Sequence, residues 1–406
     1  MAKKVLILGS GFGAVYTYRA LRKAFRTDKE ITVTILAKTN YFLFSPMLHE
    51  VATGGLDQRD IVQSIRGILN CCQDAFIECE VSGINAETKR VSTNRGEFSY
   101  DYLVVAVGAN ASFFNVLGAA EFALPLKTLH DALAIRSKIL SLLEESLSTK
   151  DQEERRRLLR WVVVGAGPTG VELAAEMVEL AESFAKTAPM GTKFEIDTQL
   201  HQSSNQILAT FDPKVQKVAA SVLRKKGVII NLNSKIIEVK KNGVTLASGE
   251  FLPAGVVIWT AGVAAVPLIC NPTTILNDRQ CIKITQYLNT IEYPEIFAVG
   301  DVAYVPGVPQ TAQAAVAEAI VAGKNILAMV KDKPLIPFHF KEKGTLVSLG
   351  QWRAAGMLYG VKIEGRFAWW LWRTIYLFKL IGVRNRIRVA IDWTLNLFFL
   401  RDISQI

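Results

Sequence analysis

Apolar residues fall along this chain in short runs that end on glycine. Residues 5–8 (VLIL) run into Gly9, and residues 161–164 (WVVV) run into Gly165. The stretches "YDYLVVAVGAN" (100–110), "GVVIWTAGV" (255–263) and "PEIFAVGDVA" (294–303) have the same form, an apolar strand closed by a small-residue turn. After the first two runs the apolar spacing lengthens to a helical one, the second helix opening near Thr169. The charged segment "STKDQEERRRLLR" (148–160) reads as a helix end and a solvated connection. Near the C-terminus the pattern predicts two amphipathic helices, at about 366–380 and 387–400. Arg388, Asp392 and Asn396 form a polar stripe on the second, with Trp, Phe, Leu and Ile on its other faces. The longest uncharged run there, "WTLNLFFL", has eight residues, whereas a bilayer span needs about 20, so these helices are expected to lie on a surface.

Composition narrows the partners. A chain that is 50% hydrophobic and 21% charged folds into globular domains, and 406 residues allow two or three. The net charge of +10 favours anionic partners: nucleotides, phospholipids or nucleic acid. From residue 362 to 402 eight basic residues stand against three acidic ones, so half of that charge lies in about a tenth of the chain. Interfacial tryptophans and arginines are what a surface-lying anchor on anionic lipid requires. The candidates are Trp369, Trp370, Trp372, Arg373, Arg384, Arg386, Arg388 and Trp393. The five cysteines (Cys71, Cys72, Cys79, Cys270, Cys281) form no CxxC pair, so they read as reduced core residues, and no metal is expected. The start, "MAKKVLILGSG", is a strand with too few apolar residues for a signal-peptide core.

The glycine turns carry the chemistry. Gly9-x-Gly11-x-x-Ala14 and the stricter Gly165-x-Gly167-x-x-Gly170 each sit between a strand and a helix. The first glycine permits the turn, the second lets backbone approach a pyrophosphate, and the third small residue lets helix meet strand. The helix N-terminus then offers free N–H groups to the phosphates. Two dinucleotide sites in one chain point to a flavin beside a nicotinamide, between which a hydride can pass. Asp301, at the end of a buried strand, is either a helix N-cap or a hydrogen-bond partner of a flavin ribityl hydroxyl.

Together these residues resemble the two-dinucleotide-binding-domain flavoproteins, and within them the type II NADH dehydrogenases. The marks are "NYFLFSPMLHEVATGGL" (40–56), "RRLLRWVVVGAGPTGVELA", "VIWTAGV", "FAVGDVA", "TAQAA", "KGTLVSLG" (343–350) and the tail "AWWLWRTIYLFKLIGVRNRIRVAIDW". The resemblance implies an α/β chain: an FAD domain at 1–115 and 290–330, an NAD(P)H domain at 116–289 and a membrane-binding helical domain at 331–406. It implies FAD phosphates at Gly9, Gly11, Phe12 and Gly13, with Lys38 near the adenosine. Ala52, Thr53 and Gly108 would pass the isoalloxazine, Gly300 and Asp301 would hold the ribityl–phosphate end, and Ala312 and Gln313 the pyrimidine side. The nicotinamide nucleotide would lie at Gly165, Gly167, Thr169, Gly170, Glu172, Gln202, Ala261 and Gly262. Glu172 and Gln313 are the catalytic candidates, though a first-turn acid such as Glu172 also suits the helix dipole. The implied reaction takes a hydride from NADH to FAD and two electrons to a membrane quinone, on the cytoplasmic face of the cell membrane. A homodimer stays open, and no nucleic acid is implied. Two rival readings are a soluble reductase for a small electron-transfer protein and a flavin-bearing interaction protein like apoptosis-inducing factor.

Three positions depart from the family pattern. Ala317 stands where a second glutamine usually follows Gln313 by one turn. Ala37 stands where an acid takes the FAD ribose. Gln202 stands where NADH-specific relatives carry Glu, so NADPH is expected to be accepted alongside NADH, with Lys193 and His201 adding positive charge. Removing the chain from about residue 366 is expected to release it from lipid and leave flavin reduction by NADH intact.

Overall fold

A computed structural model describes residues 2–25, 30–69, 74–189, 194–277 and 280–404; Cys71, Cys72 and Lys193 lie outside them. The chain forms two compact units. One comprises Met1–Leu43, Val62–Asn110 and Val263–Lys341, the other Phe44–Ile61, Ala111–Gly262 and Glu342–Ile406.

In the first unit the apolar runs become a five-stranded parallel sheet in the order Ile296–Ala298, Tyr102–Val105, Lys3–Leu8, Ile31–Ala37, Ala75–Glu78. Val5 stands opposite both Val33 and Tyr102. Near-continuous hydrophobicity is what a parallel strand covered on both faces needs. Leu6, Leu8, Leu36, Leu103, Val105 and Ile296 are buried with Ile84 and Val91 of a second, four-stranded sheet. Helix Phe12–Ala24 lies along helix Ala312–Val330. A Cβ on Gly323 would come 2.8 Å from Ala20 Cβ, so that glycine sets how closely the two helices approach. Among the described residues Ala312–Val330 is the one helix long and apolar enough to cross a membrane, and half of it is buried in the protein.

The second unit repeats the plan, with parallel strands in the order Leu124–Pro125, Val256–Trp259, Arg160–Val164, Asp197–His201, Ile229–Asn231. Val162, Val164, Val257 and Trp259 pack with Val239 and Val244 of a three-stranded antiparallel sheet. The charged connection at 148–160 proves to contain a helix, Gln152–Leu159. Asp151 caps it through the Glu153 N–H at 2.9 Å, and Leu158 and Leu159 are buried under it.

The partition differs from the expected domains. Residues 263–289 belong with the first sheet, residues 44–61 with the second, and the tail from Glu342 also clusters with the second unit. That tail is a three-stranded antiparallel sheet (Gly344–Ser348, Ala354–Leu358, Val361–Glu364) followed by helices Gly365–Lys379 and Val383–Leu395. The last helix starts and stops earlier than its pattern predicted. Gly382 (φ +89°) opens it, and the turn after Leu395 ends it.

The orientation of the tail helices is a correction. Trp369, Trp372 and Trp393 are buried and do not face outward. Trp393 Nε1 donates to the Glu50 carboxyl at 2.6 Å, and the Arg373 guanidinium lies 3.7 Å from the Trp369 ring centre and 4.8 Å from that of Trp393. Arg386 donates to the carbonyls of Leu380 and Phe378, each at 3.0 Å, and so caps the helix before it. Asn396 Nδ2 donates to Gly55 O at 2.7 Å, which turns the polar stripe inward. The outward face is apolar: Val383, Ile387, Ile391 and Leu395, each 47–69% exposed at intervals of four residues, continuing into Phe398 and Phe399. Trp370 and Arg384 remain exposed.

Candidate functional site

In the first unit three turns converge at the carboxyl end of the sheet, where open α/β sheets bind ligands. Gly9 N donates to Leu36 O at 2.8 Å, and Ser10 Oγ is 2.9 Å from Thr39 Oγ1, so the first glycine turn lies beside the end of the second strand and Lys38. Lys38 is exposed and pairs with Glu80 at 3.2 Å. A Cβ on Gly13 would meet Val299 Cγ2 at 2.9 Å and Ala106 Cβ at 3.2 Å. The close approach thus falls on Gly13, whereas Ala14 is simply buried. A Cβ at Gly11, by contrast, would meet nothing within 4 Å, and the same holds at Gly108. That leaves an open cradle at a helix N-terminus, with room for a pyrophosphate.

The third turn, Gly300–Val302, is held by a residue absent from the sequence candidates. Gly300 N donates to Glu318 Oε2 at 2.6 Å, and burial raises the Glu318 carboxyl to about 7. Asp301 lies in this turn, whose carbonyl accepts from Gln310 Nε2 at 3.0 Å. Helix Ala312–Val330 starts there, capped by the Thr311 hydroxyl. Its Gln313 has a buried side-chain amide nitrogen with no hydrogen-bond partner in the protein. An unmet buried donor at a helix N-terminus, beside an open glycine cradle, fits a ligand with carbonyl acceptors and phosphates, as FAD has.

In the second unit the corresponding turn is tighter. A Cβ on Gly170 would overlap Gly165 O, and one on Gly165 would stand 2.7 Å from Ala261 Cα, which brings the Ala261–Gly262 turn against the glycine loop. Gly167 is again open, and Thr169 is exposed at the helix N-terminus. Gln202 follows strand Asp197–His201; its Oε1 accepts from Ala166 N at 2.8 Å and its Nε2 donates to Ser204 Oγ at 2.8 Å. His201 points inward between Ser234 and Gln199, and burial lowers it to about 4. It is neutral, contrary to the positive charge expected of it.

Glu172 leads to a cluster that the sequence did not reveal. Its carboxyl accepts from Ser348 N at 3.0 Å, and burial pushes it up to about 8. His49 Nδ1 is 3.6 Å away; burial, helped by Arg401, lowers that imidazole to about 3, so the contact is no ion pair. Glu50 is raised to about 7 by burial and by Glu176. Arg401 reaches the carboxylates of Glu176 and Glu179, and Lys226 joins Glu179. Four buried acids thus share three cations, Arg401, Lys226 and Arg373, and two of the acids keep their protons near neutrality. No periodic signal in the sequence could bring residues 49–50, 172–179 and 401 together. Ala52 and Thr53 belong to this unit, where Thr53 Oγ1 donates to His49 O at 2.8 Å. Cys79, Cys270 and Cys281 are buried core residues, as expected.

Comparison with known proteins adds two family matches. Residues 3–319 match the pyridine nucleotide-disulphide oxidoreductase family, and residues 343–402 match the NDH2 C-terminal domain. Among curated proteins, the type II NADH:quinone oxidoreductase NdhA of Mycobacterium tuberculosis is 35% identical over 97% of this chain and 87% of its own length. A probable NADH dehydrogenase of Dictyostelium discoideum is 33% identical over 99% and 91%. Among solved structures, NDH2 from Plasmodium falciparum in complex with NADH superposes with a TM-score of 0.90 over the whole of both chains at 23% identity. The sulfide:quinone oxidoreductase of Aquifex aeolicus reaches 0.76 at 19% identity over 99% and 96%. These superpositions establish the fold, which different chemistries share.

Proposed function

This chain belongs to the pyridine nucleotide-disulphide oxidoreductases, in the branch of the type II NADH:quinone oxidoreductases, and from that premise we propose that it oxidises NADH through FAD and reduces a membrane quinone without pumping protons. The observation that carries this reading is two open glycine turns, each on its own five-stranded parallel sheet, in a chain with an NDH2 tail.

Bound FAD supplies a two-electron centre that takes a hydride from NADH and returns electrons to a quinone. The protein's part is to bind, orient and supply protons. Gly11, Phe12 and Gly13 would present backbone N–H groups to the FAD pyrophosphate; Gly9, whose N–H is taken by Leu36 O, would shape the turn, and Lys38 would lie toward the adenosine. Gly108, Gly300 and Asp301 would line the cofactor further along, Ala312 and Gln313 would offer the helix N-terminus and the unmet amide to its pyrimidine edge, and Ala52 and Thr53 would pass its ring system. Gly165, Gly167, Thr169 and Gly170 hold the dinucleotide phosphates, Gln202 its ribose, and Ala261 and Gly262 its nicotinamide half. Quinone reduction consumes two protons, and a Glu172 carboxyl that keeps its proton at neutral pH can deliver one.

The outward stripe at Val383, Ile387, Ile391 and Leu395 meets the bilayer, with Trp370 and Arg384 at the headgroups. A quinone dissolved in that bilayer then reaches the enzyme without leaving lipid. Anaerobic titration tests the whole reading: NADH bleaches the flavin absorbance, and a quinone restores it. Absence of bleaching, or reoxidation by a small electron-transfer protein but by no quinone, would overturn it.

A further inference from the structure

Three residues from its described end, the chain turns back into its own interior. Phe398, Phe399 and Leu400 are exposed, yet the Arg401 side chain that follows them is only 12% exposed. Its guanidinium donates to both Thr53 Oγ1 (3.0 Å) and Thr53 O (3.3 Å), to Glu176 O (3.4 Å), and to the carboxylates of Glu176 and Glu179. Burial works against its charge, and the two carboxylates outweigh that and hold its proton more firmly. The segment is pinned on either side. Asn396 holds Gly55 O, and Arg136 donates to Asp402 Oδ2 at 2.9 Å. Glu176 and Glu179 belong to helix Pro168–Thr187, whose N-terminus carries the second glycine turn.

We propose that Arg401 is a positioning residue: it fixes the Thr53 loop against helix Pro168–Thr187, whose N-terminus carries the second glycine turn. The proposal rests on the reading above that Ala52 and Thr53 pass the flavin. Only a planar fork of five donors spans a hydroxyl, two carbonyls and two carboxylates from one buried centre; an ammonium keeps the charge but not the span. Arg401 also follows directly on the apolar residues that would enter lipid, so seating the tail on a bilayer seats the loop.

The test compares the FAD-loaded R401K and R401M variants with the wild type. R401K keeps the buried charge, so its melting temperature falls less than that of R401M, but the loop loses its register. Its flavin absorption spectrum and midpoint potential shift, and kcat falls by about tenfold to a hundredfold while the KM for NADH holds. R401M shows the same shifts with a lower melting temperature. Wild-type spectrum, potential and kcat in R401K would overturn the proposal, because charge alone would then suffice. Gly54→Ala separates the two levels, since a Cβ there would stand 2.7 Å from Asp402 O and disturb the loop independently. If it moves the flavin spectrum and R401K does not, the positioning role alone fails. If neither moves it, the loop does not face the flavin and both readings fail.

Discussion

Gln202 shows how one side chain can set a preference by lacking charge. Both ends of its amide are engaged, with Ala166 N–H and with Ser204, so it stands fixed beside the glycine loop. A carboxylate at this point in the fold would bind the ribose hydroxyls and repel a 2′-phosphate; an amide does the first weakly and the second not at all. With His201 buried and neutral, Gln202 is the described residue on which discrimination rests, and it should stay below about 1.5–3 kcal/mol, the range of one charged hydrogen bond. Steady-state kcat/KM for NADH and NADPH checks this. A preference for NADH above about a thousandfold, roughly 4 kcal/mol, contradicts it, and Q202E should widen the gap. Glu172 makes a second prediction. Burial raises its carboxyl from 4.5 to about 8, so the stability it contributes is present in full below 4.5 and is lost as pH climbs toward 8. An E172Q variant has no charge to bury. Its melting temperature should rise relative to wild type across that window, following at most about 1.4 kcal/mol per pH unit. Parallel pH curves for the two proteins would show that the Glu172 carboxyl titrates normally.

Among the elements, helix Val383–Leu395 differs most from its sequence pattern. Its pattern predicted a polar stripe on a surface-lying helix without showing what the stripe meets; Asn396 and Asp392 turn toward residues 55–57, and the apolar positions look out. Ile387 and Ile391 line an apolar surface groove with Ala390, Thr394 and Leu395. Replacing Ile391, 51% exposed, by Glu should leave the melting temperature near wild type and sharply reduce co-sedimentation with anionic liposomes. Undiminished pelleting, together with a halved solution mass, would show that the stripe joins two copies of the chain and not lipid.

At the scale of the whole molecule the tail cannot be detached. Trp369, Trp372 and Trp393 are core residues of the second unit, and losing one buried aromatic side chain costs about 3–5 kcal/mol. Three such losses exceed much of the roughly 5–15 kcal/mol that holds a domain together. A chain cut before Arg366 should therefore aggregate or melt early, and should not survive as a lipid-free enzyme; calorimetry of the truncated protein decides. The earlier expectation of a severable anchor rested on the amphipathic pattern, which records that a helix has two faces but not which one the protein covers. The glycine turns, the apolar strands and the family were legible without coordinates because each is a local requirement: a turn with no room for Cβ, or a strand buried on both sides. Asp301 could be located for the same reason, at the end of its buried strand, whereas Gln313 and Gln202 were placed by the family's motifs. Nothing local marks Glu318 under Gly300, or Glu50, Glu172 and Arg401 around one buried cluster. Sequence alone thus determined the two nucleotide folds and their phosphate loops. Tertiary structure decided which tryptophans are core, which carboxyls keep a proton and where the last arginine goes, because burial and charge pairing depend on groups that meet only after folding.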